Sequence, residues 1–261
     1  MIEVSHLRKS FGKSVILDDV SFRVENGESV VIIGRSGGGK SVLLKHLIGL
    51  LTPDAGTVAI DGENICALNE RQLLRVRQKF GMLFQSAALF DSLSVAENVA
   101  FALRRLGKSS ETEIRNKVAR ALEMVELSGT EDKSPSELSG GMRKRACLAR
   151  MLLYGSETAL LDEPFAALDA QLKLVMHELL LRLAADSDQT IVFVTHDLME
   201  AVTLADRVIV CTRRPAMIAL EQRIPLPRPR DVLNVRFTNE FKELYDALWE
   251  RLRVEYQEER V

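Results

Sequence analysis

The sequence predicts an α/β protein with a mixed, mainly parallel sheet, an N-terminal antiparallel β-subdomain and a helical insert. Three observations carry this. First, short runs rich in Val and Ile recur between helical patterns: SVVII at 29–33, FGMLF at 80–84, ETALL at 157–161, TIVFV at 190–194 and RVIVC at 207–211. Nearly continuous apolar strands alternating with helices are the mark of a parallel sheet covered on both faces. Second, IEVSHL, VSFRVENGE and GTVAIDGE near the N-terminus read as antiparallel strands, with turn chemistry at Asn26-Gly27 and Asp61-Gly62. Third, from about 90 to 155 the helical period takes over.

The elements follow in order. SVVII leads into a glycine-rich loop, and VLLKHLIGLL after it reads as a helix. In KSSETEIRNKVARALEMVEL, Ser110 and Glu113 have capping-box spacing, and Ile114, Val118, Ala121, Leu122 and Val125 then mark one apolar face. PLPRPRD at 225–231 reads as a proline-broken linker. Beyond it Phe241, Leu244, Leu248 and Leu252 put an apolar stripe on a terminal helix, which either packs on its own domain or meets a partner. The expected organisation is one domain over 1–224, with the helical insert inside it, followed by linker and helix over 225–261.

Composition narrows the class. A chain of 261 residues can bury a sizeable core, and a net charge of −2 gives no field that would make nucleic acid or anionic lipid the main partner. Cys66, Cys147 and Cys211 stand far apart with no C-x-x-C pair, so buried, reduced thiols in a cytosolic setting are expected. The opening MIEVSHLRKSFGK has no apolar core flanked by a cleavage site, so no secretory leader is expected, and no run reaches the length of a membrane span.

The chemistry begins at Gly34-Arg35-Ser36-Gly37-Gly38-Gly39-Lys40-Ser41, which satisfies G-x-x-x-x-G-K-S/T between a strand and a helix. Glycines let successive N–H groups turn inward around phosphates, Lys40 can reach the β- and γ-phosphates, and the Ser41 hydroxyl can ligate Mg2+. Ala159-Leu160-Leu161-Asp162-Glu163 is the complement. A carboxylate at the C-terminal end of a buried strand falls near the phosphate loop, so Asp162 is expected to hold Mg2+ and Glu163 to act as general base. Neighbours on a strand point to opposite faces, which would divide these two roles. Gln85 and His196 also follow apolar strands and fall at the same sheet edge, Gln85 toward Mg2+ and water, His196 toward the γ-phosphate.

A second glycine turn, ELSGGMRKRACLARML at 137–152, stands just ahead of a helical stretch, a further place for an anion. Taken together, the phosphate loop, Gln85, Leu138-Ser139-Gly140-Gly141-Met142, Asp162-Glu163, Ala167-Leu168-Asp169 and His196 resemble, in this order, an ATP-binding subunit of a bacterial ABC transporter. The resemblance covers essentially the whole chain and implies a P-loop NTPase core of the ABC ATPase fold. It also implies ATP and Mg2+ as ligands and a head-to-tail pair of subunits. Ser139, Gly140 and Gly141 of one would then cap the γ-phosphate on the phosphate loop of the other. By the same resemblance Phe11 stacks on adenine, Val42 closes the nucleotide-binding stretch, Asp169 communicates across the pair and His196 is the switch histidine. Met142 replaces the commoner Gln, and Val42 stands where Thr is frequent.

The resemblance divides along the chain. GRSGGGKSVLLKHLIGLL, GMLFQSAALFDSLSVAENVAF and PSELSGGMRKRACLAR are similar to ATPases of phospholipid-trafficking systems that maintain the outer membrane. LLDEPFAALDA, VTHDLMEAVTLADRVIV and RRPAMIALEQRIPLPRPRD are similar to nitrate, sulfonate and taurine importer ATPases. The implied partners are a second copy of the chain and transmembrane permease subunits, with no nucleic acid. The implied place is the cytoplasmic face of the inner membrane, as a peripheral subunit. The alternative is a soluble ABC ATPase without a permease; such proteins usually carry two ATPase units, coiled-coil insertions or metal-binding cysteine sets.

Overall fold

The computed structural model describes residues 1–107, 109–166 and 168–257; Ala167, part of one motif above, lies outside the described residues. In chain order the strands are β1 (Ile2–Phe11), β2 (Ser14–Val24), β3 (Ser29–Ile33), β4 (Ala55–Ile60), β5 (Glu63–Asn64), β6 (Phe80–Leu83), β7 (Thr158–Asp162), β8 (Thr190–Thr195), β9 (Arg207–Cys211) and β10 (Ile218–Arg223). The helices are α1 (Lys40–Leu47), α2 (Glu70–Arg77), α3 (Val95–Leu106), α4 (Glu111–Met124), α5 (Gly140–Tyr154), α6 (Ala170–Ser187), α7 (Leu198–Leu204) and α8 (Asn239–Gln257).

The strands form two sheets. One is antiparallel, in the order β2-β1-β4-β5. The other runs β10-β9-β3-β8-β7-β6 and is parallel except at its β10 edge. Every residue of β3 is buried because its two faces serve different cores. Val31 and Ile33 face a core shared with α3 to α8, whereas Val30 and Ile32 face the antiparallel sheet and α1. Leu161 and Phe193 repeat the first side, and Leu160 and Val192 the second. A strand buried on both faces loses the polar alternation of a half-exposed one, which is why these runs read as continuous.

Two local expectations change. Asn26-Gly27 does not close a hairpin. It carries the chain from β2 in one sheet to β3 in the other, and the Gly27 N–H is tied to Thr190 Oγ1 at 2.9 Å. The hairpin turn sits earlier, at Gly12 and Lys13, between β1 and β2. The helix after the phosphate loop starts at Lys40 and stops at Leu47, although its apolar pattern continues to Leu51. Gly49, at φ 62°, takes the left-handed conformation that ends helices, and Leu50 N–H closes back on Lys45 O at 2.9 Å.

The insert behaves as its pattern implies. Ser110 and Glu113 form the capping box of α4, and Ile114, Val118, Ala121 and Leu122 are buried along one face. The segment after β10 lies against the core. Phe241, Leu248 and Leu252 of α8 are buried in the helix-side core, each contributing roughly 1.5–3 kcal/mol of transfer free energy. Arg230 pins the approach to that helix. Its guanidinium donates to the carbonyls of Thr203 (2.9 Å), Ala205 (2.7 Å), Ile224 (3.3 Å) and Leu226 (3.3 Å). Burial pushes the group down to about 10, with Arg228 adding to the effect. Arg230→Met should lower the unfolding free energy by about 3 kcal/mol, because it strands buried carbonyls without donors. Urea unfolding measures this, and a loss under about 1 kcal/mol would mean that the segment is held by apolar contacts alone.

Candidate functional site

The phosphate loop leaves β3 at Ile33 and enters α1 at Lys40. Gly39 has φ 106°, and a Cβ there would lie 3.1 Å from side-chain carbons of Ile16 and Leu17, so the loop is wedged against β2 and needs glycine. Lys40 is buried, and its Nζ donates to the carbonyls of Gly34 and Arg35, both at 2.8 Å. Burial pushes its ammonium below the ordinary lysine value, opposed first by the charge of Glu163. Behind the loop the Cys211 thiol is pushed up to about 12 by burial, which leaves it unreactive.

Asp162 ends β7 and accepts a hydrogen bond from the Ser41 hydroxyl at 3.0 Å. Glu163 departs from the expected strand alternation. It lies one residue past the strand at φ 47°, and in this left-handed turn its side chain lines the cavity that also holds Ser41, the partner of Asp162. The turn is held by its own backbone: Glu163 N–H donates to Val194 O at 2.9 Å, and Glu163 O accepts from Lys144 Nζ at 2.7 Å. Its carboxylate meets both of the other sheet-edge residues. Gln85 Nε2 donates to Oε2 at 3.4 Å, and His196 Nδ1 lies 3.3 Å from Oε1. A cavity of about 190 Å3 is lined by Ser36, Gly37, Gly39, Lys40, Ser41, Val42, Gln85 and Glu163, together with Arg214.

The second glycine turn, Asp169 and Phe11 lie apart from that cavity. Ser139 is the N-cap of α5, its Oγ accepting from Met142 N–H at 3.3 Å, and the exposed Gly140 has open space above it. Gly141 follows in the first turn, which carries no acidic side chain. Asp169 caps α6 by accepting from Leu172 N–H at 3.0 Å. Phe11 is exposed at the end of β1, with Lys9 Nζ 5.6 Å from its ring centroid.

Comparison with known proteins places this geometry. A family model described as ABC transporter matches residues 17–166. The chain belongs to the ABC transporter family. Two solved dimeric structures of one cassette, MJ0796, have the same fold, and each covers 87% of this chain and 100% of its own. One is in a post-hydrolysis state bound to ADP and Pi (TM-score 0.80, 30% identity). The other is of the same protein, described as a bacterial ABC transporter cassette (TM-score 0.81, 31% identity). Among curated relatives, a probable ribonucleotide transport ATP-binding protein of Mycobacterium leprae is 46% identical over 78% of this chain. A sulfate/thiosulfate import ATP-binding protein of Ralstonia nicotianae is 43% identical over 81%. The chain spans 59% and 56% of the length of these two relatives.

This ABC cassette also holds a polar network behind His196 that its sequence pattern did not single out. Glu200, buried on α7, accepts from Thr195 Oγ1 at 2.6 Å and pairs with Lys173 Nζ at 3.1 Å. Thr195 Oγ1 in turn accepts from Asp197 N–H at 3.0 Å, so the turn bearing His196 is clamped on both sides. Burial alone would push the Glu200 carboxyl up, but the His177 imidazole 3.9 Å away, the hydrogen bond from Thr195 and the Lys173 charge hold it below its usual range. The available signal was a single carboxylate inside the apolar run LMEAVTL. A larger cavity, about 690 Å3, lies elsewhere, between β6 and the helical insert.

Asp162 yields a pH-dependent prediction. Burial raises its carboxyl above the ordinary value, so the folded chain binds a proton there more tightly than the unfolded chain does. The resulting stability is present at low pH and is lost as pH rises through the raised value. Asp162→Asn keeps an acceptor for Ser41 and removes the charge. It should raise the melting temperature of the nucleotide-free protein near neutral pH, with the gain shrinking toward the carboxylate range. A variant that melts lower at every pH would show that the charge is stabilising after all.

Proposed function

We propose that this chain is the ATP-binding and ATP-hydrolysing subunit of a transporter, acting as a head-to-tail pair that drives separate permease subunits in the membrane. The observation that carries this reading is the convergence of Gln85 and His196 on Glu163, in the cavity that also holds Lys40 and Ser41. In this reading Gly34 to Val42 wrap the phosphates of ATP, Lys40 neutralises the β- and γ-phosphates, and Phe11 supplies a face for the adenine. Ser41 and Asp162, joined by a hydrogen bond, and Gln85, which lines the same cavity as Ser41, offer hard oxygen donors, a set that fits Mg2+. That ion would screen the charge of the phosphates when bound. Glu163 takes a proton from water as the water oxygen bonds to the γ-phosphorus; the bond to the β–γ bridging oxygen breaks, leaving ADP and phosphate. His196 holds the carboxylate and the γ-phosphate in register, and the Glu200 network holds His196.

The pair answers why a second anion turn stands apart from the first. Ser139, Gly140 and Gly141 offer a helix N-terminus without a competing carboxylate, and in a second copy they would cap the γ-phosphate. Asp169 would carry the signal across the pair. The dimeric state of MJ0796, a cassette of the same fold, supports a paired arrangement. For the permease, the 690 Å3 groove offers Phe84, Phe90, Phe101 and Met151 with Arg105 and Arg150 at its rim, suited to a short amphipathic helix. In this reading the choice of cargo belongs to the permease. The two cargo classes are phospholipid, from the N-terminal resemblance, and a small oxyanion such as nitrate or sulfonate, from the C-terminal one. The subunit would then sit peripherally on the cytoplasmic face of the inner membrane.

Glu163→Gln should bind ATP and form a stable pair while turnover falls at least about a hundredfold, the scale of a lost general base. Phosphate release and size-exclusion chromatography with ATP measure both, and unchanged turnover would remove Glu163 from the mechanism. Phe101→Asp should leave ATP turnover of the isolated subunit intact and abolish co-purification with permease from gently solubilised membranes. If wild type brings down no membrane protein while hydrolysing ATP, the soluble-ATPase alternative takes its place.

A further inference from the structure

A third cationic group stands at the phosphate loop, and neither the motif nor the mechanism above uses it. β9 runs parallel beside β3, from Val30 opposite Arg207 to Ile33 opposite Val210, so the chain leaves β9 next to the phosphate loop. There it makes a tight loop: Thr212 N–H donates to Met217 O at 2.9 Å, and Thr212 Oγ1 donates to Pro215 O at 3.0 Å. The loop is also tied to β2, through Ala216 N–H to Ile16 O at 2.8 Å and Asp18 N–H to Ala216 O at 3.0 Å. From this position Arg214 Nη2 donates to the carbonyl of Gly37 at 2.7 Å and shares the cavity of Lys40, Ser41 and Glu163.

Two features make this more than a surface arginine. The first is its place. Ile16 and Leu17 of β2, to which the loop is tied, are the residues packed against Gly39, and β2 leads back through its hairpin to Phe11. A nucleotide with its base on Phe11 and its terminal phosphates on Lys40 must pass along this side. The second is its support. Arg213 N–H donates at 3.3 Å to Glu255 of α8, a buried carboxylate whose other oxygen pairs with Arg251 at 3.3 Å. The terminal helix therefore seats the loop that carries Arg214. A neutral carbonyl uses little of a guanidinium's five donors, whereas a phosphate oxygen accepts charge-assisted bonds from the same fork.

We propose that Arg214 is a nucleotide-binding residue that takes the non-transferred phosphates of ATP, and that Glu255 of α8 is the positioning residue that holds it there. The proposal rests on the ATP-binding reading of the phosphate loop. It gives the terminal helix a part in setting nucleotide affinity.

Titration calorimetry of the full chain with ATP and with ADP tests it, alongside melting of the nucleotide-free protein. Arg214→Ala should weaken ATP and ADP alike by about tenfold, the loss of one charge-assisted contact. It should leave the nucleotide-free melting temperature unchanged, and Arg214→Lys should recover part of the affinity. Glu255→Ala should weaken ATP less, and in the Arg214→Ala background it should add nothing, because it acts through Arg214. Affinity within twofold of wild type in Arg214→Ala, or a fully additive effect of Glu255→Ala, overturns the proposal alone. A wild-type chain with no affinity for ATP overturns it together with the reading beneath it.

Discussion

A buried ammonium beside two carboxylates, at the edge of a parallel sheet, sets the terms for the rest of this molecule. Lys40 is out of water, Asp162 is out of water, and Glu163 is largely so. Such charges are tolerable only when fixed polar groups replace the lost hydration. The structure supplies them from elements far apart in sequence. Two loop carbonyls hold Lys40, the Ser41 hydroxyl holds Asp162, and Gln85 and His196 hold Glu163. All five contacts exist because β3, β6, β7 and β8 run parallel and end at one edge. The parallel sheet thus brings the ends of four strands to one small cavity and surrounds the charges with enough polar groups to keep them buried.

The same requirement spreads outward. Glu163 reaches the cavity only through its left-handed turn, which costs backbone strain of order 1–3 kcal/mol. Lys144 from α5 and the carbonyl of Val194 on β8 hold that turn. Because α5 begins at Ser139, the helix that offers the second anion turn at one end also steadies the base of the first site. A shift of α5 along its axis would therefore be felt at Glu163 through one hydrogen bond. On the other side, α6 begins at Asp169 and carries Lys173, which grips Glu200 and Asp197 beneath His196. Each of the two helices thus also touches either a residue of the inner cavity, Glu163, or the residues that brace His196 beside it.

These relationships were unevenly legible in the sequence. The phosphate loop, Gln85, Asp162 and His196 could be placed because each directly follows a recognisable apolar strand, and parallel strands gather their C-terminal ends. The amphipathic face of α4 and the stripe on α8 were legible for a similar reason, since burial follows local period. The orientation of Glu163 was not, because a positive φ at a non-glycine residue is imposed by partners from two other elements. The end of α1 was misread since apolar residues continue past Gly49, and period alone does not register a left-handed residue. Asn26-Gly27 was legible as a turn but not as a crossing between sheets, which depends on where β3 pairs. Glu200 and Arg214 were passed over because their partners come from elsewhere in the fold. Arg214 meets Gly37 across 177 positions of chain, and nothing in RRPAMI marks the contact.

The terminal helix shows how such long-range contacts turn packing into a possible control. Phe241, Leu248 and Leu252 seat α8 on the core by burial, which is non-directional and tolerates small shifts. Glu255 adds a directional contact at the far end, and the loop it holds touches both β2 and the phosphate loop. That end lies one loop away from Gly37. The fold therefore joins its last helix to its first glycine-rich turn by a chain of hydrogen bonds. Anything that grips the exposed side of α8, where Trp249 and Val254 face solvent, acts on a segment connected to the nucleotide cavity.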